Sequence, residues 1–481
     1  MRKGRFPAMV ALVAMLSACG GGGGSTTGSP IQVTPAPGSS TPTPTATTTA
    51  GCSLRERQDW TLSQLREWYL FPDLLDTGAS PGSYTTVQDY IDALVAPARA
   101  QSKDRYFTYI TSIAQENAFY QQGASAGFGV RLTYDSTAQR VFVAEAFEGA
   151  PALAAGIDRG TEITAIGTST SNLQTVKSLF TAGGAAAVSD ALGPSTAGVS
   201  RVLRVIINGV QQDLTITKTS YELTPVSSRY GVKVIDNGGQ KVGYINLRTF
   251  IDSADPALRS AVDTLRAQGI TNVIVDLRYN GGGLVSISEL FGSLLGAGRA
   301  GQVFSYTTFR PEKSNNNSTH NFQPTSQSIA PMKIAFIGTT STASASELLI
   351  NAFKPYLGAN AGLIGTNTYG KPVGQVALDK SSCDDRLRAI AFRTENANHE
   401  GDYYTGLATR VAASCAASDD LSFQLGDPNE ASVKTALDFL AGRSCTPIST
   451  SGQTTQTLRA SRQVLQVPNG TTEQREVPGS F

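Results

Sequence analysis

Two residues of this sequence could together perform nucleophilic chemistry: a serine at the predicted start of a helix and a lysine on a glycine-flanked loop. Ser344 lies between the strand-like run KIAFIG and the helix-like run SELLINAF. The first N–H groups of a helix have no internal partners, so this position suits a nucleophile and a developing negative charge. A serine that only caps the helix is more common, and this stretch alone favours that simpler interpretation.

A nucleophilic serine needs a general base, and the sequence offers one promising candidate. His320 and His399 both lie in polar, loop-like stretches, and no Ser-x-x-Lys motif occurs. Lys371 follows the apolar run GLIG and lies between two glycines in TNTYGKPVGQ. A lysine on a tight loop at the end of a strand can point into a cleft, where burial disfavours its charged form. We therefore predict Lys371 as the base.

Three motifs occur in a fixed order along the chain: DLRYNGGG at 276–283, TASASELL at 342–349 and TYGKPVGQ at 368–375. In this order they resemble the motifs of the carboxyl-terminal processing, or tail-specific, serine proteases. The resemblance covers about residues 55–445 and is strongest over 272–376. It implies a serine-type endopeptidase that acts on proteins or peptides and needs no metal or organic cofactor.

The resemblance also implies roles for individual residues. The family's nucleophile falls on Ser344 and its general base on Lys371. Gln375 matches a glutamine that orients the lysine in some members. Glu347 matches an acidic residue that other members use near the serine, although a glutamate in the first turn is also favoured by the helix dipole.

The oxyanion donors that the resemblance implies are backbone N–H groups. They fall on Ala345 and on the glycine run, where we prefer Gly282 to Gly283. Glycine permits the backbone to approach a substrate closely. Pro372 stands where the family often has glycine, which is a local departure from its pattern.

A second resemblance lies upstream, where short alternating strands such as GFGVRLTYD and RVFVAEAF surround a short helix. The segment PALAAGIDRGTEI resembles the helix-and-turn signature of a PDZ domain, with Gly160-Thr161 where that family usually has Gly-Asp. Its carboxylate-binding loop falls on Gly127, Phe128, Gly129 and Val130. The resemblance implies that this loop binds the C-terminal carboxylate of a substrate.

The predicted fold class is multidomain α/β. We expect a small N-terminal helical domain over 51–115, a PDZ-like β-rich domain over 116–220 and a layered α/β serine protease core over 221–446, where strands and helices alternate. Residues 20–50 are rich in Gly, Ser, Thr and Pro and predict a disordered tether. The polar residues 447–481 predict a disordered tail.

The first 19 residues resemble a lipoprotein signal peptide, with a basic start and a short apolar run. The sequence Leu16-Ser17-Ala18-Cys19 resembles a lipobox, which implies cleavage before Cys19 and acylation of it. We expect anchoring to a membrane of the cell envelope, with Gly20 favouring the outer membrane, facing the periplasm. An ordinary secretory signal is the alternative.

Four further cysteines, Cys52, Cys383, Cys415 and Cys445, allow two disulfides in an oxidising compartment. Of the three possible connectivities we prefer Cys383–Cys415 with Cys52–Cys445, since the second would join the ends of the folded region. Four free thiols remain an alternative. Metal binding is disfavoured by the absence of a CxxC motif and the presence of only two histidines.

Other function classes fit less well. The near balance of 39 basic and 38 acidic residues predicts no nucleic-acid partner. A G-x-S-x-G motif at 123–127 lacks the strand before and helix after that an esterase requires. A catalytically inactive lipid-anchored PDZ scaffold or peptide-binding protein is the main alternative, and a glycan-binding protein has no support. The sequence identifies no particular substrate or adaptor.

Overall fold

A computed structural model describes residues 49–449, 462–467 and 470–481 of the chain. The predicted signal peptide, Cys19 and nearly all of the predicted tether lie outside these residues. Among the helices in the described ranges, none is long and apolar enough to cross a membrane.

Helices and strands alternate along most of this region. The helices are α1 (Leu54–Trp68), α2 (Val87–Leu94), α3 (Ala96–Ala100), α4 (Ile113–Gln122), α5 (Pro151–Ala154), α6 (Val176–Leu192), α7 (Ala254–Ala267), α8 (Val285–Leu294), α9 (Ala345–Leu357), α10 (Ala431–Leu440) and α11 (Thr472–Glu476). The strands are β1 (Tyr109–Ser112), β2 (Ala124–Gly127), β3 (Val130–Asp135), β4 (Arg140–Ala146), β5 (Glu162–Gly167), β6 (Gln174–Thr175), β7 (Ser200–Ile207), β8 (Val210–Thr217), β9 (Thr219–Glu222), β10 (Val232–Asn237), β11 (Gln240–Asn246), β12 (Asn272–Asp276), β13 (Val303–Phe309), β14 (Ser318–Asn321), β15 (Lys333–Gly338), β16 (Ala361–Gly365), β17 (Val373–Lys380), β18 (Asp385–Glu395), β19 (Ala413–Ala416) and β20 (Gln463–Val464).

The central sheet has the strand order β10-β11-β12-β15-β16-β19 and is parallel apart from its edge strand β10. Every residue of β12 and β16 is buried, as expected for parallel strands covered on both faces. Apolar residues of α7, α8 and α9 pack on one face, and those of α10 pack on the other. The expected layered α/β architecture is therefore present.

The N-terminal helices do not form a core of their own. Leu65 of α1 and Tyr90 of α2 share an apolar cluster with Val373 of β17 and Leu387 of β18. The sheet beneath them has the order β1-β18-β13-β14, with β17 also paired to β18. Residues 51–115 thus pack against the hairpin that begins two residues after Lys371.

The β-rich unit is built on a sheet of order β20-β3-β4-β5-β7-β8, with β6 paired to β5. Residues of α5 and α6 complete its apolar core. Strands β7 and β8 form a hairpin at Asn208-Gly209, where both residues have positive φ, as a tight two-residue turn requires.

The preferred disulfide pairing is wrong, because the bonds are Cys52–Cys383 and Cys415–Cys445. Cys383 lies at the turn between β17 and β18, beside the start of α1. Cys415 lies in β19, next to the segment that follows α10. The Cα–Cα distances of 5.5 and 5.4 Å fall in the range that a disulfide spans. Cys52 and Cys445 lie near the two ends of the folded region in sequence, and such ends need not be adjacent in space.

The prediction of a disordered tail over 447–481 is wrong for residues 470–481, which we call the tail segment. It contains α11, and its apolar residues Val477 and Phe481 are buried. Two apolar side chains cannot build a core by themselves, so the composition suggested disorder. They are ordered here because they enter a core formed by residues far away in the sequence.

Candidate active site

The three sequence motifs meet at one edge of the central sheet. They follow β12, β15 and β16, which are adjacent and parallel, so their carboxyl ends lie together, where such sheets form their clefts. The N–H of Ala343 donates to the Asn280 carbonyl at 3.0 Å, and the N–H of Tyr369 donates to the Thr342 carbonyl at 2.9 Å. These two bonds join the first motif to the second and the second to the third.

Ser344 occupies the position just before α9 in an uncommon backbone conformation, with φ of 55° and ψ of −116°. Non-glycine residues held at positive φ are strained and cluster at functional sites. Gly282 lies directly against it, because a Cβ placed on Gly282 would be 2.7 Å from the Cβ of Ser344 and 3.1 Å from the N of Ala345. Only glycine fits this close approach between the first two motifs.

Glu347 connects the serine to the lysine loop through backbone groups. Its buried carboxylate accepts hydrogen bonds from the N–H of Ser344 at 3.1 Å, of Gly370 at 2.7 Å and of Lys371 at 2.7 Å. Burial raises the pKa of Glu347 to about 7, although these hydrogen bonds act in the opposite direction. Glu347 therefore positions both loops, and with Ser344 it also forms a capping box at the start of α9.

Lys371 is buried, with 8% of its surface exposed, and its Nζ donates to Oε1 of Gln375 at 3.1 Å. Nε2 of Gln375 in turn donates to the carbonyl of Phe107. Burial lowers the pKa of Lys371, and the charge of Glu476 partly opposes this shift. A lysine with a lowered pKa more readily holds the neutral amine that a general base needs.

The loop that carries Lys371 is also held by a residue of the N-terminal helical region. Arg105 Nη2 donates to the carbonyls of Tyr369 and Gly370, both at 2.6 Å, and its guanidinium lies 4.2 Å from the Tyr369 ring centre. Gly370 has φ of 90°, and a Cβ there would lie 2.4 Å from the Tyr404 carbonyl oxygen. Neither the arginine nor the phenylalanine carbonyl belongs to a motif that identified the site.

Two N–H groups of the glycine run, where we expect an oxyanion donor, already have hydrogen-bond acceptors within the protein. The N–H of Gly282 donates to Oδ1 of Asn280 at 2.9 Å. The N–H of Gly281, which the sequence did not single out, donates to the carbonyl of Glu476 at 2.9 Å. The glycine run thus already holds a peptide carbonyl, supplied by the tail segment.

The two histidines take no part in this arrangement. His320 bonds to Ser318 and Glu289, and His399 stacks on the ring of Tyr306 with ring centres 4.3 Å apart. These partners lie outside the three motifs. The loop of Gly127, Phe128, Gly129 and Val130 lies in the β-rich unit, where the N–H groups of Gly129 and Val130 face the carbonyl oxygen of Phe481.

Replacing Glu347 with glutamine is expected to lower kcat/KM for a peptide substrate about 10- to 100-fold. The amide would turn donor hydrogens toward backbone N–H groups, and one buried donor would lose its acceptor. Steady-state kinetics would measure the change, with Glu312→Gln at an exposed position as the matched control. Unchanged kcat/KM at an unchanged melting temperature would contradict the positioning role.

Comparison with known proteins agrees with this geometry. Residues 241–398, which include all three motifs, match the model of peptidase family S41. A solved structure described as an S41 protease, from Bacteroides fragilis, shares the fold with a TM-score of 0.60 over 80% of this chain and 97% of that one, at 22% identity.

Two curated relatives are described as carboxyl-terminal-processing enzymes. The carboxyl-terminal-processing protease of Synechocystis sp. is 24% identical over 394 residues, covering 80% of this chain and 82% of that protein. The chloroplastic carboxyl-terminal-processing peptidase 2 of Arabidopsis thaliana is 30% identical over 262 residues, covering 52% of this chain and 46% of that protein. The S41 match spans the serine and lysine motifs, so residues 241–398 are similar to the peptidases of that family, and these matches together support a serine-type peptidase.

Proposed function

We propose that the chain is an endopeptidase in which Ser344 is the nucleophile and Lys371 the general base. The observation that carries this proposal is the Glu347 carboxylate, which accepts N–H groups from both residues and so fixes their two loops together. The burial of Lys371 and the strained backbone of Ser344 support the same assignment. Gln375 holds the amine through its side-chain oxygen.

The reaction follows from these positions. Neutral Lys371 takes the proton from Oγ of Ser344 as Oγ attacks the carbonyl carbon of the peptide bond. The resulting oxyanion is held by backbone N–H groups of Ala345 and the glycine run. The lysine ammonium then gives its proton to the leaving amine, and an acyl-enzyme remains. Lys371 next takes a proton from the water that attacks the ester, and it returns this proton to Oγ of Ser344 as the new carboxyl terminus is released.

The hydrogen bond of Lys371 in the absence of substrate sets a requirement for the proton transfer from Ser344. Among the bonds of the described residues, the Nζ of Lys371 is joined to Gln375 and not to Ser344. Catalytic hydrogen bonds are often long or absent before a substrate arrives. The amine of Lys371 therefore has to come within hydrogen-bond distance of Oγ when a substrate binds.

Substrate recognition is proposed to use the β-rich unit as a PDZ domain. The N–H groups of Gly129 and Val130 suit the C-terminal carboxylate of a protein, and a peptide would pair with β3 as an added strand. The substrates would be exported proteins or peptides. Because of the N-terminal sequence, the proposal includes export and a lipid anchor at Cys19, and hence a location in the cell envelope. The two disulfides suit an oxidising compartment.

Reaction with a fluorophosphonate tests the nucleophile directly. The Ser344 oxygen would displace fluoride from phosphorus and form a stable phosphonate ester, which mass spectrometry of the digested protein would locate. We expect a single adduct on the peptide that contains Ser344, and none after heat denaturation. An adduct on another serine, under conditions in which a control serine protease is labelled at its nucleophile, would contradict the proposal.

A further inference from the structure

The tail segment pairs with β3 in the way a bound peptide would. The N–H of Phe481 donates to the carbonyl of Val130 at 3.0 Å, and the N–H of Gly129 donates to the carbonyl oxygen of Phe481 at 2.9 Å. The N–H of Leu132 donates to the Gly479 carbonyl at 2.8 Å. The tail segment occupies the start of this edge of β3, while β20 pairs with Thr133 and Tyr134 further along the same edge. Main-chain bonds made to the edge of a strand give peptide recognition its affinity.

The side chain of Phe481 fills an apolar site beside the same loop. Only 3% of its surface is exposed, and it belongs to the apolar cluster that contains Phe128, Val130 and Leu132. A Cβ on Gly127 would come within 2.6 Å of the carbonyl carbon of Phe481, so the loop closes tightly over this residue. The site thus accommodates a large apolar side chain.

The middle of the tail segment reaches the catalytic cleft. Besides the bond between the Gly281 N–H and the Glu476 carbonyl, a Cβ on Gly281 would lie 2.5 Å from the carbonyl oxygen of Arg475. A cavity of about 530 Å³ beside the site is lined by Lys371 and Ala343 together with Gln474, Arg475 and Glu476. A peptide laid across the glycine run would meet this backbone.

The tail segment buries charged side chains whose hydrogen-bonding groups are only partly satisfied. Tyr120 donates its hydroxyl to Oε1 of Glu476 at 3.2 Å, while Oε2 of Glu476 is buried with no hydrogen-bond partner among the described residues. Burial raises the pKa of Glu476 and of Glu473 and lowers that of Arg475. An unpaired buried carboxylate oxygen weakens the association. Displacement of the tail segment would return this oxygen to water and so remove that cost.

We propose that residues 471–481 are an intramolecular ligand of the GFGV loop (residues 127–130), and that they hold the enzyme inactive until a substrate terminus ending in a large apolar residue displaces them. One segment thereby occupies both the loop proposed to read a substrate's end and the glycine run beside Ser344. The regulation rests on the proposed function, whereas the binding can be measured without catalysis.

Binding is tested in Ser344→Ala proteins with a fluorescent peptide of residues 471–481, TTEQREVPGSF. We expect Phe481→Asp in the full chain to free the loop and to bind this peptide at least about tenfold more tightly than the chain with Phe481, by fluorescence anisotropy. The matched control Phe423→Asp changes an exposed phenylalanine and should bind like the parent. Equal affinities of the parent chain and the Phe481→Asp chain, or no binding to either, would overturn the proposal.

Activity is tested in chains that keep Ser344. Phe481→Asp should raise kcat/KM for an unstructured peptide about tenfold, Phe423→Asp should leave it unchanged, and added TTEQREVPGSF should inhibit the Phe481→Asp enzyme. Unchanged or lower activity of Phe481→Asp at an unchanged melting temperature would overturn the inhibitory role. Complete inactivity of every chain would instead count against the proposed function, since the binding result stands apart from it.

Discussion

Replacing Ser344 with alanine should reduce kcat for an unstructured peptide substrate by about 10⁴-fold or more, because the attacking oxygen is lost. The binding surface remains, so the melting temperature and the affinity for peptide should stay close to those of the parent. Single-turnover hydrolysis followed by mass spectrometry would measure the residual rate.

Ser346→Ala is the matched control for this result. Its hydroxyl donates to the carbonyl of Asn280 at 3.1 Å within the same helix turn, so its loss removes one buried hydrogen bond and no reacting atom. We expect kcat within about fivefold of the parent. A Ser344→Ala protein that still cleaved peptide at the parental rate would exclude this serine as the nucleophile.

The second large effect is expected at Lys371. Methionine has a similar length and apolar stem but cannot accept a proton, so Lys371→Met should lower kcat about 10³-fold. In the parent enzyme, kcat/KM should rise with pH as the amine loses its proton, with a midpoint below the ordinary lysine value of 10.5, since burial lowers the pKa of Lys371. The sign follows because only the neutral amine can take the serine proton.

The pH dependence separates loss of the base from general damage to the site. The residual activity of Lys371→Met should lack the rising limb, while Lys434→Met, which changes an exposed lysine, should keep both rate and profile. An unchanged limb in Lys371→Met would assign the titration to another group. Parental activity in that variant would show that the base lies elsewhere.

The sequence predicts Ser344 and Lys371 because both lie in short motifs. Ser344 and Lys371 follow strands, and alternation of strands with helices places the ends of parallel strands at one edge. The partners that hold the lysine are different: Arg105 lies 264 residues from Tyr369, and the Phe107 carbonyl lies 268 residues from Gln375. A backbone carbonyl has no residue signature, so no local pattern could have identified it.

The disulfides and the tail segment were missed for a related reason. The positions of the four cysteines in the sequence do not tell which pairs are adjacent, since adjacency depends on where α1 packs on the β17–β18 hairpin. The tail segment has few apolar residues, and its fate depends on a site formed by residues 127–132 about 350 positions earlier. Composition describes the segment alone and not the surface that receives it.

The anchoring of the lysine loop from outside the central sheet has a consequence for the size of the smallest working enzyme. The stretch 241–398 that matches the S41 family model contains Ser344, Lys371 and Gln375. It omits Arg105 and the Phe107 carbonyl, which brace the amine and its loop, as well as the helices that share a core with β17 and β18. Hydrolysis therefore depends on segments that are far apart in the sequence. A protein reduced to residues 241–398 would keep the reactive side chains but lose the residues that hold Lys371 and its loop in place.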